Sequence, residues 1–336
     1  MISYLVKRLI SFFFVLAGAA TITFFIMHVA PADPARVVAG LRATAEQVDR
    51  VREEMGLNDP LFVQYGRFAR QILRGDLGTS IRTNRPIIKD LALYFPATFE
   101  LVVLTTLVFL SLGAGLGVLT AVYVRKRWLT FPTKLLAIIG MGVPIFWLGL
   151  LAQVVFYSKL GILPAAGRIA VSVAAPKHIT GLYLLDSLLT GNLEAFRSSF
   201  LHIILPTLTL ASNRFGVTLR FVREQMLSVM KMDYVRTAWS KGLGARAVVF
   251  RHALRNALIP VVTMTGLQFG WLLGGTLLVE SIFSYPGLGG YAFDSIAAFD
   301  FPAVIGTTML LTLCFSLNNL LIDLSYMFID PRIVYD

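Results

Sequence analysis

The chain has a single cysteine, Cys314, and four histidines in 336 residues. An intrachain disulfide and any cysteine-cluster metal site are therefore excluded. His28, His178, His202 and His252 are scattered and read as structural rather than as metal ligands. No GxxxxGK[ST] run occurs, so the chain lacks the loop that cradles nucleotide phosphates. HExxH and GxSxG are absent too, which removes the common signatures of zinc proteases and serine hydrolases. Charge is also scarce, at 15% of residues. No internal repeat or low-complexity tract is visible.

What the chain has instead is oil: 56% hydrophobic residues and a mean hydropathy of +0.73. Such a chain cannot make a water-facing surface, and its apolar runs are long enough to cross a hydrocarbon core about 30 Å thick. The reading is an all-α polytopic membrane protein with about six spans. They are Ile10 to Val29, Phe99 to Val124, Leu135 to Tyr157, Leu201 to Val222, Leu258 to Val279 and Ala303 to Phe328. The fourth is weaker because it holds Pro206, Asn213, Arg214 and Arg220. Lys7 and Arg8 before the first run, with Ala30 and Ala32 spaced like a cleavage site, raise a signal peptide as an alternative. The run is longer than the ~7–15 residues of a signal core, so a retained helix is expected.

Lysine and arginine in the short connections set the orientation. Lys7 and Arg8, then Arg125, Lys126 and Arg127, then Arg332 all fall on one side, which places both termini in the cytoplasm. Around the connection between spans four and five stand Arg220, Arg223, Lys231, Arg236, Lys241, Arg246, Arg251 and Arg255, against Glu224 and Asp233. The net charge of +11 is thus largely a topology signal, and no nucleic-acid motif accompanies it. The chain divides into a first transmembrane helix (1–30), an external region (31–95) and a core (96–336) with a cytoplasmic segment at 226–256. The external stretch holds ten basic and eight acidic residues. It predicts a polar helix over Thr44 to Met55, a turn at 56–60 and an amphipathic helix over Leu61 to Leu73. At this length it is expected to receive a partner or guard the entrance to a pore. A second external loop, Gly161 to Phe200, predicts a short helix near Leu182 to Thr190.

The segment from Asp233 to Pro260 is the most informative. Asp233 can cap a short helix whose apolar residues Tyr234, Val235, Ala238 and Trp239 form one narrow face, with Arg236 and Ser240 turned away. Gly242 can end it in the left-handed conformation. A second helix, Ala245 to Asn256, then runs to a stop at Pro260. Such a helix can lie on lipid headgroups or dock in a protein groove, and the physics of the segment leaves both open.

The residues from Arg236 to Gly242 (RTAWSKG), followed by Leu258, Ile259 and Pro260, resemble the EAA loop of bacterial ABC importer permeases. The resemblance to the peptide and nickel branch of that family runs nearly end to end. It includes KRL at 7–9, ADP at 32–34, GDLGTS at 75–80, FWLG at 146–149, LGILP at 160–164, RHALRNALIP at 251–260, FSYPGLG at 283–289 and DPR at 330–332. The order of the segments resembles the B-type subunit of a dipeptide or oligopeptide importer. Two departures stand out. Arg236 and Thr237 occupy the Glu-Ala position of the general motif, and Gly242 precedes Pro260 by 18 residues, longer than the general pattern. The family's glutamate role is therefore not carried over, whereas Ala238, Gly242 and Pro260 match.

The resemblance implies a type I importer architecture in a bacterial inner membrane, in which this chain forms half of a pore. It implies a C-type second permease as heterodimer partner, two cytoplasmic ATPase subunits or domains, and an extracytoplasmic substrate-binding protein. No cofactor is expected in this chain, with ATP and Mg residing in the ATPase partners. It also implies an ATPase-coupling site over Asp233, Tyr234, Val235, Arg236, Thr237, Ala238, Trp239, Gly242 and Leu243. Polar groups inside spans ask for a cavity or a partner, which makes Gln153, Asn213, Arg214, Gln268 and Asn318, with Asn319, the pathway candidates. Glu280 and Asp323 are expected to be held by structural hydrogen bonds. Gly266, Gly270 and Gly274, and likewise Gly113 and Gly117, offer smooth faces for intrachain packing, the preferred reading, or for a partner permease. An ion-coupled carrier working alone would need carboxylates at mid-membrane and repeated halves, and neither is visible. Nickel chelates or another small solute are alternative cargoes.

Overall fold

The computed structural model describes residues 2–29, 33–40 and 42–329. Over these it is helical, with turns and one isolated bridge between Thr79 and Pro86. The readings placed on Ala30, Pro31, Ala32, Asp330, Pro331 and Arg332 lie outside the described residues. The chain separates into two compact units. Among the described residues, the first runs through Pro96 and takes in Pro286–Leu317, and the second comprises Ala97–Tyr285 with 318–329.

The first unit begins with α1 (Ile2–Val29) and continues through three short helices set by local chemistry. In α2 (Pro34–Ala39) the Asp33 carboxylate accepts from the Ala35 N–H at 3.1 Å, and proline occupies the first turn where no donor is missed. α3 (Ala45–Glu54) opens with a reciprocal capping box between Thr44 and Gln47. α4 (Leu61–Leu73) packs Tyr65 and Phe68 on the Phe24 ring, both with centroids at 5.3 Å, while the Tyr65 hydroxyl meets Thr21 at 2.8 Å. His28 bridges the Phe24 carbonyl and the Gln64 amide, so it is structural as read. The start of α5 (Ile87–Val122), α13 (Leu288–Ala297) and the start of α14 (Phe301–Ile329) complete this unit around Ile87, Leu91, Leu288, Tyr291 and Ala303.

The second unit is organised on α9 (Leu193–Val229), a helix of 37 residues, which at 1.5 Å per residue is about 55 Å long. Asn192 caps it by accepting from the Ala195 N–H at 3.0 Å. α6 (Arg127–Gly142) crosses it so closely that glycine is obligatory on both sides. A Cβ on Gly140 would stand 2.4 Å from the Ser212 carbonyl oxygen, and one on Gly216 would stand 2.6 Å from that of Ala137. Gly113 and Gly117 of α5 likewise receive Thr218 and Val222 of α9, and Gly266 receives Ile322. For these glycines the smooth faces serve intrachain packing.

Among the described residues, four helices are long and apolar enough to cross a membrane, and five if a bent pair is taken as one span. The bent pair corrects the third span. α6 stops at Gly142, and α7 (Ile145–Lys159) leaves at 108° to it, because Pro144 removes a donor and Val143 before it is extended. The last residues of α7 form a π-helical turn over Gln153–Lys159. The fifth span is also corrected. Helix α11 runs unbroken from Ala245 to Gly275, with a π-helical stretch at Val248–Ala253. Pro260 therefore lies inside the helix and is no stop. Val279 belongs to a separate short helix, α12 (Leu277–Ile282). α9 is long enough to span but is not among the helices apolar enough to be counted.

Candidate functional site

Between α9 and α11 lies α10 (Asp233–Ser240). Its N-cap is Met232, and Asp233 is the first residue inside the helix without a side-chain capping bond, which corrects the cap assigned from sequence. Its carboxylate still favours the positive end of the helix. The stop is as read: Gly242 has φ +75°, and its N–H donates to the Trp239 carbonyl at 2.9 Å. The Leu243 N–H returns to Ala238.

The apolar face faces inward. At about 100° per residue, Val235 and Ala238 form the centre of the stripe, with Tyr234 and Trp239 at its two edges. Val235 is 0% exposed and Ala238 5%. Both pack into a cluster with Val118, Val222, Met226, Val229, Val248 and Val249. Tyr234 and Trp239 are 39% and 44% exposed, and Asp233, Arg236, Thr237 and Ser240 are exposed on the opposite side. So the anchor face expected from sequence belongs largely to the chain's own core. The outward surface is a polar strip edged by two aromatics. Asn256, which sequence reasoning missed as a contact, donates its side-chain amide to the Tyr234 hydroxyl at 2.8 Å and ties α10 to α11. The exposed Arg236–Asp233 pair at 3.5 Å adds little.

The pathway candidates separate into two kinds. Gln153 donates to the carbonyls of Ala165 and Ile282 at 2.8 and 2.9 Å, so it fastens a loop to α12. Asn318 donates to the Gly266 carbonyl at 2.8 Å, and Gln268 is buried with its amide on Thr218 at 3.3 Å. These three hold helices together. Asn213 and Arg214 instead line a cavity of about 420 Å³ with Met141, Gly142, Val143, Pro144, Ile145, Leu210, Leu272 and Gly275.

A third polar cluster was not legible as a unit in the sequence. Arg168 reaches Glu100 at 2.7 Å, both side chains under 8% exposed, donates to the Gly181 carbonyl at 2.8 Å and lies 3.7 Å over the Tyr183 ring. Glu100 also accepts from the Leu184 N–H at 2.8 Å. Glu280 accepts from Thr98 at 2.6 Å. Burial pushes the Tyr285 phenol well above the usual tyrosine range, opposed by the nearby Arg168 guanidinium.

Beside this cluster, the buried Asp186 carboxylate accepts from the N–H groups of Ile179, Thr180 and Gly181 and from the Thr180 hydroxyl. Burial pushes its carboxyl up, but these hydrogen bonds outweigh burial and hold it below the usual carboxylate range. Because the folded carboxyl titrates lower than the unfolded one, its stabilisation is complete above about pH 4 and drains away as pH falls through the folded value. Hydrogen exchange corrected for intrinsic rates should show the segment 177–190 losing protection as pH falls below about 4. Asp186→Asn should already lose protection at neutral pH. Wild-type protection that persists unchanged to the acid limit would contradict this.

Two family models cover nearly the whole chain. Residues 113–335 match the binding-protein-dependent transport system inner membrane component, and residues 1–102 match the N-terminal part of that membrane component. The chain is 47% identical over 319 residues to the probable D,D-dipeptide transport system permease protein DdpB of Escherichia coli, covering 95% of this chain and 94% of that protein. It is 39% identical over 339 residues to the dipeptide transport system permease protein DppB of Alkalihalophilus pseudofirmus, with both chains fully covered. It is 38% identical over 335 residues to the glutathione transport system permease protein GsiC of Pectobacterium atrosepticum, again over the full length of both. A helical membrane bundle, a short stopped helix between two long ones and matches across the whole length lead to one assignment: the chain belongs to the binding-protein-dependent transport system inner membrane component family.

Proposed function

We propose that the chain is the permease subunit of an ATP-driven importer of short peptides, forming half of a translocation pathway with a second permease. In this reading α10 faces the cytoplasm and docks on an ATPase partner, which holds the ATP and Mg. The short helices α2 to α4 lie outside and receive a substrate-binding protein. Peptide cargo is supported by relatives named for dipeptides and glutathione, which have amide-linked amino-acid units in common.

The observation that carries the coupling role is the mounting of α10. A helix that transmits force must be stiffly held by its own chain, which Val235, Ala238 and the Asn256–Tyr234 bond provide. It must also present something to push on, which Trp239, Arg236 and the rim of Tyr234 provide. Exposed aromatics and arginines commonly dominate docking energy. Replacing Trp239 with alanine together with Arg236→Glu should weaken ATPase retention by about 2 kcal/mol, roughly thirtyfold. Thermal stability of the permease should stay within about 0.5 kcal/mol, as expected for surface positions. The check is co-purification with the ATPase and uptake in vesicles. Full retention and full uptake would favour a helix that lies on lipid.

A further inference from the structure

The cavity at the broken third span has a feature that helix packing does not use. Arg214 sits near the middle of α9, a 37-residue helix, where a charge at membrane depth is costly unless something compensates it. Among the described residues no ion pair or hydrogen bond engages the side chain of Arg214 or that of Asn213. Both line the cavity of about 420 Å³, within the range of small-ligand sites. The lining also carries the break between Gly142 and Ile145, and irregular backbone at membrane depth is tolerated where it lines a cavity. The rest of the lining is Met141, Leu210 and Leu272, and glycines keep the space open: a Cβ on Gly142 or Gly275 would meet nothing within 4 Å.

We infer that Arg214 and Asn213 form a station in the pathway that holds the C-terminal carboxylate of a passing peptide. This rests on the peptide-importer reading above. Three chemical matches carry it. The guanidinium fork pairs with a planar carboxylate through two parallel hydrogen bonds, a geometry that lysine cannot copy. The neighbouring Asn213 amide offers both a donor and an acceptor, as a peptide unit requires. The apolar part of the lining accepts aliphatic side chains without selecting among them. A site made of one charge and one amide in a roomy cavity of mixed polar and apolar lining reads what all peptides share and ignores what distinguishes them.

The test uses the whole transporter in proteoliposomes with its binding protein and follows alanyl-alanine and its C-terminal amide. Losing a charge-assisted pair should lower uptake of the free acid by roughly tenfold or more in Arg214→Gln. Uptake of the amide, expressed relative to wild type, should not change. Arg214→Lys keeps the charge and should recover part of the free-acid uptake, and co-purification of the assembled transporter confirms that each variant folds. Equal loss for both cargoes would overturn the inference, since it means that Arg214 pairs with a carboxylate of another subunit or supports the pathway generally. Unchanged uptake of both would overturn it as well. Failure of the importer reading looks different: the wild-type transporter would show no ATP-dependent uptake of either peptide.

Discussion

Replacing Ala238 with aspartate is expected to unseat α10 and to lower the stability of the permease by several kcal/mol. The side chain is 5% exposed and packs with Val118, Val222, Val248 and Val249. A carboxylate placed there has no cation among the residues of that cluster, and burying an unpaired charge is among the few single changes that cost more than about 4 kcal/mol. The expected result is a fall in yield and in Tm measured in detergent; on the coupling role proposed above, loss of ATPase co-purification follows from it. Ala238→Ser, nearly isosteric, should be much milder. The comparison with Trp239→Ala is informative, because that change should cost docking but not folding. An Ala238→Asp protein with wild-type Tm would show that α10 is not held by the core as described.

The second large effect is expected at Arg168. Arg168→Met leaves Glu100 buried without its cation, and breaking a buried pair from one side typically costs about 3–5 kcal/mol. It also removes the stacking on Tyr183 and the bond to the Gly181 carbonyl, so the whole loop between α7 and the short helix α8 (Tyr183–Leu189) loses its anchor. Glu100→Gln alone should cost less, because the amide oxygen can still accept from Leu184. The double variant should be more stable than the sum of the two single changes implies, since neither partner then leaves a naked charge. Thermal unfolding of all four proteins closes the cycle. Strictly additive losses would mean that Glu100 and Arg168 do not act as a pair.

The sequence made the local chemistry readable wherever a short-range signal was complete. The polar stretch from Thr44 to Met55 holds the helix Ala45–Glu54, and the stretch from Leu61 to Leu73 forms a helix with the bounds its amphipathic pattern predicts. Gly242 ends α10 as its lack of a side chain allows. Errors arose where the same local signal serves two global arrangements. Pro260 breaks a helix in water, but inside a bundle neighbouring groups can satisfy the freed carbonyl, and α11 continues through it. Pro144 sits in an equally apolar run and does break the span, the preceding Val143 taking an extended conformation. The apolar stripe of α10 announced burial without saying against what. Val235 and Ala238 are buried by α5, α9 and α11 of the same chain, and only Tyr234 and Trp239 remain for a partner. Among the pathway candidates, residue type could not separate Gln153, Gln268 and Asn318, which bond to neighbouring helices and loops, from Asn213 and Arg214, which face a cavity. That distinction depends on where the break in the third span falls.

The continuity of α11 has a kinematic consequence. Its 31 residues make a rod about 46 Å long. One end is fastened to α10 through Val248, Val249 and Asn256, and the other ends at Gly275 in the wall of the Arg214 cavity. A rod pivoting about its middle, close to Pro260, moves its two ends in opposite senses. A displacement of the α10 end would then be matched by an opposite displacement of Gly275 in the cavity wall.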